Sequence, residues 1–168
     1  MTKLYVMRIG KSKKISHQEE SAHARLLLAM AVKREYGFDL ADYPEQKNEN
    51  GKPYLEGASF CFNLSHSGEY AVCALSDSEV GVDLEKIKPI SRGVMLRFVG
   101  QWGESDEENT RLWTRYEAIG KFLGCGIPYT QELPRDCFVK EYFDLDGYAL
   151  SVCSAYDDFA DRVIDLGF

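Results

Sequence analysis

Two carboxylates stand one residue apart in Gly81-Val82-Asp83-Leu84-Glu85-Lys86. The stretch reads as the end of a strand. Side chains alternate faces along a strand, so Asp83 and Glu85 point the same way, about 6.5–7 Å apart. Further on, Trp113-Thr114-Arg115-Tyr116-Glu117-Ala118-Ile119-Gly120-Lys121 reads as a helix. Trp113, Glu117 and Lys121 are spaced i, i+4, i+8 and share one face. Brought together, two strand carboxylates, a helix Glu and a Lys make a hard-cation site with a cationic clamp beside it. Chemistry on a phosphate ester needs that combination.

Each piece also has a plainer reading. Asp83-x-Glu85 alone is more often an exposed charge pair on an edge strand. Here it follows apolar Val80 and Val82, and both carboxylates lie opposite Val82 and Leu84. Two like charges so close repel, and a divalent cation relieves that. Mg²⁺ favours a few carboxylates plus water and phosphate oxygens over a full protein cage. Glu117 and Lys121 alone would be a surface ion pair worth ~0.3–0.5 kcal/mol. Trp113 on the same face argues against full exposure.

Asn63-Leu64-Ser65-His66-Ser67-Gly68 reads in two ways. It is a tight turn whose Asn and Ser side chains cap backbone groups, or a phosphate clamp of hydroxyls and an imidazole. It lacks the strand–Gly-x-Ser-x-Gly–helix setting of a nucleophilic serine. Arg25 interrupts an apolar helix stripe, either snorkelling to the surface or reaching a ligand phosphate. Arg8, Lys11, Lys13 and Lys14 form a solvated basic loop or a landing patch for phosphate or an acidic partner.

The elements that must position these residues follow from pattern. Leu4–Ile9 reads as a strand. Ser16 with Glu19 is a capping box opening a helix that runs to about Tyr36, where Gly37 ends it. Ala22, Leu26, Ala29, Met30 and Val32 give that helix an apolar stripe. Residues 42–52 read as a polar loop, and Gly51-Lys52-Pro53-Tyr54 opens a short extended piece. Three strands are expected at Phe60–Leu64, Tyr70–Leu75 and Val80–Leu84. Ile90–Phe98 reads as helix, 100–109 as loop, and Thr110–Leu123 as helix stopped by Gly124 and Gly126. Phe138–Leu145 and Tyr148–Cys153 form a hairpin turned at Asp146-Gly147. Gly68–Ala74 echoes Gly147–Ser154 in sequence, which points to two related lobes with a site at their seam.

Composition bounds the class. The chain has 168 residues, 45% hydrophobic and 28% charged, enough for one compact domain or two small lobes. Net charge is −7, which argues against a nucleic-acid binder. Residues 1–6 lack an apolar core or a cleavage pattern, so no signal peptide is expected. The longest nearly apolar run, 24–32, is too short to span a bilayer. The five Cys, Cys61, Cys73, Cys125, Cys137 and Cys153, are odd in number with no CxxC pair, so neither a full disulfide framework nor a four-Cys zinc site is expected. Cys61, Cys73 and Cys153 fall in strand-like apolar runs, as small buried hydrophobes do. A reducing, cytoplasmic setting fits.

In this order, Asn63-Leu64-Ser65-His66-Ser67, Gly81-Val82-Asp83-Leu84-Glu85 and Trp113–Lys121 resemble the 4′-phosphopantetheinyl transferases of the surfactin-synthetase-activating type. Gly51-Lys52-Pro53-Tyr54, the hairpin around 148–154 and, more loosely, Ala22-His23-Ala24-Arg25 match as well. The resemblance runs from about residue 16 to 157, and five motifs in register are specific where each alone is weak. It implies an α+β fold of two similar lobes, each a helix on a small antiparallel sheet, related by a pseudo-twofold. The lobes would be residues 1–88 and 89–168, with the active site between them. It implies transfer of 4′-phosphopantetheine from coenzyme A to a serine of an acyl or peptidyl carrier protein, with Mg²⁺, releasing adenosine 3′,5′-bisphosphate.

By matching positions, the resemblance makes Asp83, Glu85 and Glu117 the metal carboxylates, Glu117 also the general base, and Lys121 the neutraliser of the transferring phosphate. Ser65, His66 and Lys52 would contact coenzyme A, and Arg25 a ligand phosphate. Glu117 beside a cation is expected to have a lowered pKa. Tyr116 departs from the Lys that usually precedes the Glu, so a cation is missing or supplied by Arg115 or Arg111. That departure keeps open a non-catalytic module binding coenzyme A or a carrier protein. A metal-dependent phosphodiesterase ranks last. The carrier stays open among fatty-acid, polyketide and peptide synthesis and lysine metabolism. A monomer is expected.

Overall fold

The structure, a computed structural model, describes residues 1–10, 16–125 and 136–167. Lys11, Lys13, Lys14 and Gly126 lie outside the described residues. Arg8, the remaining member of the basic run, pairs with Glu69.

Two sheets carry the fold. The first holds β1 (Lys3–Arg8), β4 (Cys61–Ser67), β5 (Tyr70–Ser76) and β9 (Ile164–Asp165) in the order β4-β5-β1-β9. Its pairs are antiparallel apart from β1 with β9. The second holds β6 (Val80–Lys86), β7 (Phe138–Tyr142) and β8 (Tyr148–Ser154), antiparallel in the order β6-β8-β7. A small hairpin, β2 (Glu45–Lys47) with β3 (Pro53–Leu55), lies apart from both.

Each sheet is threaded alike: strand, helix, two strands, with the last strand in the middle and paired to the first. In the first unit these are β1, the helix α1 (His17–Tyr36), β4 and β5. In the second they are β6, the helix α3 (Asp106–Leu123), β7 and β8. The two segments that echo each other in sequence are therefore β5 and β8, the central strands. By strand pairing the chain passes from one sheet to the other between Ser76 and Val80, and β9 returns to the first.

Alternating side chains explain the layering. On β1, Tyr5 and Met7 pack with α1, whereas Leu4 and Val6 pack with Val80, Val82 and Leu84 of β6 and Leu150 and Val152 of β8. The first sheet is thus buried on both faces, which is why β1 and β5 read as near-continuous apolar runs. On the far side of the second sheet, Ala118 and Ile119 of α3 pack on Cys153. Among the described residues no helix is long and apolar enough to cross a membrane.

The capping box at Ser16 and Glu19 forms as expected, and Gly37 closes α1 at φ 79° with its N–H on the Lys33 carbonyl. The buried stripe differs: it is Ala24, Leu27, Leu28, Ala31 and Val32, while Leu26 is exposed. Helix α3 starts one turn before the expected Thr110, because the Ser105 hydroxyl accepts from Glu108 N–H and Asp106, Glu107 and Glu108 suit the positive helix start. A short helix, α2 (Arg92–Phe98), lies between β6 and α3. Strand β4 runs on through Ser65-His66-Ser67, where the plainer reading expected a turn. The turn itself is at Gly68-Glu69, with Gly68 at φ 58° joining Ser67 to its partner Tyr70.

Candidate active site

Odd-numbered residues of β6 face α3, and even-numbered Val82 and Leu84 enter the core. At the first odd position, Gly81, an added methyl group would overlap the Ala118 carbonyl and the Phe122 amide of α3. Its absence lets the helix backbone settle on the strand. The next two odd positions are Asp83 and Glu85, and one oxygen each from Asp83, Glu85 and Glu117 lie within 4.8 Å of one another. The strand pair and the helix Glu thus come together.

Asp83 is buried at 2% exposure. Its Oδ1 accepts from Lys121 Nζ at 2.6 Å and from Ser65 Oγ at 3.1 Å. Its Oδ2 is buried and meets no amide, hydroxyl or ammonium donor, and the Glu117 carboxyl bonds to Asp83 when protonated. Such an oxygen is costly unless something binds it. An all-carboxylate donor set with one such oxygen suits a hard divalent cation. Lys121 also donates to Ser65 Oγ at 3.1 Å. Glu85 accepts at Oε2 from Ser67 Oγ at 3.3 Å and from Lys88 Nζ at 2.8 Å.

Glu117 is pushed up to about 7, first by burial and then by the negative Asp83, with Lys121 only partly offsetting them. This is the direction in the metal-free chain, and the lowering expected beside a cation concerns the ion-loaded site. Burial and a like charge outweigh a single ammonium that is already bonded to Asp83.

The four residues matched to coenzyme A contacts are spread around this centre. Ser65 lies within it. His66, on the opposite face of β4, sits with Nδ1 3.3 Å from Glu20 of α1. Arg25 pairs with Glu45 on β2. Lys52 Nζ donates to Glu79 at 2.6 Å and to the carbonyls of Val80 at 3.0 Å and Phe122 at 3.3 Å. It thereby ties the start of β6 to the last turn of α3. A cavity of about 240 Å³ lined by Lys52, Pro53, Asn63, Leu64, Lys121 and Gly124 connects the Gly51-Lys52-Pro53 segment to the site lysine.

Tyr116 is buried beside Trp113, whose ring also meets Phe98 of α2 edge-on at 6.4 Å. Neither arginine replaces the cation absent there. Arg111 is held by Glu141 at 3.2 Å over the Phe143 ring, and with Arg115 it lines a separate cavity on another face of α3.

Sequence reasoning missed Ser67 and Lys88 as partners of Glu85. The signal for Ser67 was its spacing: Asn63, Ser65 and Ser67 alternate, as residues on one face of a strand do.

The site gathers three carboxylates, Asp83 buried and Glu85 and Glu117 partly so, with the Lys121 ammonium on Asp83, a donor set of the kind a divalent cation takes. Residues 5–78 match the family described as "4′-phosphopantetheinyl transferase, N-terminal", a span that ends just before β6. The chain is 30% identical to the 4′-phosphopantetheinyl transferase Sfp of Bacillus subtilis over 88% of its own length and 80% of that protein's. It is 30% identical to the transferase ffp of Bacillus subtilis, covering 90% and 83%. It is 35% identical to the transferase AcpT of Salmonella typhimurium, covering 68% and 69%. The chain belongs to the 4′-phosphopantetheinyl transferase family, enzymes that move phosphopantetheine from coenzyme A to carrier proteins.

Proposed function

We propose that this chain catalyses that transfer at the Asp83–Glu85–Glu117–Lys121 site, with Mg²⁺ as its cation. The carrying observation is the convergence of three carboxylates, one oxygen each within 4.8 Å of the others, on a buried Asp83. Asp83, Glu85 and Glu117 would hold the ion. When bound, it would supply positive charge to the diphosphate and ease departure of the bisphosphate.

The chain's own residues do the rest. A serine hydroxyl of the carrier attacks the phosphorus bearing the pantetheine arm. One oxygen–phosphorus bond forms and the bond to the adenosine bisphosphate breaks. Glu117, ionised when the cation is held, would accept the serine proton. Lys121 is placed to put its ammonium against the phosphate charge that builds up. Lys52 lines the cavity leading to Lys121 and suits the nucleotide end of coenzyme A. Arg25 and His66 are assigned to phosphates at its outer edge, each on exchanging its glutamate partner for the ligand. The two similarly threaded units form two lobes, the second carrying Asp83, Glu85, Glu117 and Lys121 and the first reaching them through Ser65. The protein works as a monomer in the cytoplasm, on an acyl or peptidyl carrier protein.

The test is the intact mass of an apo-carrier protein incubated with the chain, coenzyme A and Mg²⁺. A gain of one phosphopantetheine group, abolished by EDTA, supports the proposal. No gain on several unrelated carriers would refute it.

A further inference from the structure

Strands β4 and β6 are each the outer strand of their own sheet, so each leaves a row of backbone groups without a strand partner. On β6 that row is closed by side chains of β4. Val82 N–H donates to Asn63 Oδ1 at 2.9 Å, Leu84 N–H to Ser65 Oγ at 3.2 Å, and Lys86 N–H to Ser67 Oγ at 3.0 Å. Each acceptor precedes its donor by 19 residues, so one register holds across three steps.

Two of the rungs also turn toward the site. Ser65 Oγ donates to Asp83 at 3.1 Å, and Ser67 Oγ donates to Glu85 at 3.3 Å. Each serine therefore grips a backbone amide and the carboxylate of the residue just before it. At the third rung the residue before the amide is Gly81, which has no side chain and admits α3.

We propose that Asn63, Ser65 and Ser67 form a side-chain ladder that fixes β6 beneath α3, and that Ser67 is the positioning residue of Glu85. A hydroxyl is required because it accepts from the amide while donating to the carboxylate. Alanine does neither. Glu85 has a second suitor: Lys88, on the exposed side, binds the same oxygen at 2.8 Å. Without Ser67 that oxygen follows Lys88, and the carboxylate is no longer held for a cation. The role on Glu85 rests on the proposed metal site; the ladder does not.

The test compares Ser67→Ala and Ser67→Thr with the parent chain in two measurements. Amide hydrogen exchange is followed at Lys86 without metal, and Mn²⁺ binding is followed by electron paramagnetic resonance. In Ser67→Ala the Lys86 amide exchanges about fivefold faster, as loss of one hydrogen bond gives. Its Mn²⁺ affinity falls at least about tenfold, as loss of a ligand's outer partner gives. Threonine restores both. Parent-like exchange at Lys86 in Ser67→Ala overturns the ladder, and parent-like Mn²⁺ affinity overturns the positioning role. If the parent chain binds no Mn²⁺, the metal site and the Ser67 role on it both fall, and the exchange rate alone decides the ladder.

Discussion

Lys121 Nζ lies 2.6 Å from Asp83 Oδ1, while the other oxygen of the same carboxylate is buried and meets no amide, hydroxyl or ammonium donor. One half of Asp83 is neutralised by the helix lysine, and the other half would serve a ligand once Glu117, which bonds to Asp83 when protonated, is ionised. That division predicts a split in the behaviour of Lys121→Met. Removing a competing cation leaves divalent-ion binding at least as tight as in the parent. Losing charge at the transferring phosphate lowers turnover by about 10²–10³-fold. Mn²⁺ titration and steady-state kinetics on one preparation check both halves.

Gly81→Ala tests how closely α3 must sit on β6. The added methyl meets helix backbone rather than a movable side-chain tip, so the helix must shift. Overpacking of this kind costs about 1–3 kcal/mol. Thermal unfolding should show that loss, and transfer activity should fall further than stability does, because Glu117 and Lys121 move with the helix. Parent-like activity would mean that the site tolerates a displaced α3.

The raised Glu117 carboxyl has a definite sign. At about 7 in the folded chain, against an ordinary value of 4.5, it holds its proton more tightly folded than unfolded. Its contribution to metal-free stability is full below about 4.5 and is lost as pH rises through about 7. Cation binding needs the ionised form, so it strengthens over the same interval. Glutamine mimics the protonated carboxyl, so melting temperatures of the parent and Glu117→Gln in EDTA should agree near pH 4.5 and diverge as pH rises, with the variant the more stable. The stabilisation given by Mg²⁺ to the parent should grow.

Lys52 is bonded to Glu79, a residue 60% exposed. Glu79→Gln would release that ammonium toward an incoming phosphate while its bonds to the Val80 and Phe122 carbonyls remain. Exposed pairs are worth about 0–1 kcal/mol, so KM for coenzyme A should fall by no more than about fivefold. A rise in KM would show that Glu79 positions Lys52 instead of restraining it.

The helices and the site carboxylates were legible in the sequence because local rules determine them. Ser16 with Glu19 marks a helix start, Gly37 and Gly124 sit at helix ends in left-handed conformation, and i, i+4 spacing puts Glu117 and Lys121 on one face. What stayed hidden depends on long-range pairing. Asn63-Leu64-Ser65-His66-Ser67 is polar enough to read as a turn. It is a strand because its odd residues meet the edge of β6 while Phe62 packs toward α1. Strand β9 has two residues and exists only through β1. The rise in Glu117 pKa needed the burial and the Asp83 contact, which spacing alone does not supply.

The most direct measurement is divalent-cation binding to the parent chain and to Asp83→Asn, by calorimetry with Mg²⁺ and by electron paramagnetic resonance with Mn²⁺. The carboxylate-trio account predicts one ion bound by the parent and affinity reduced by at least about tenfold in Asp83→Asn, with Lys121 still present to keep the fold. Equal affinity in the two proteins would contradict it, because the ion would then sit somewhere other than on Asp83, Glu85 and Glu117.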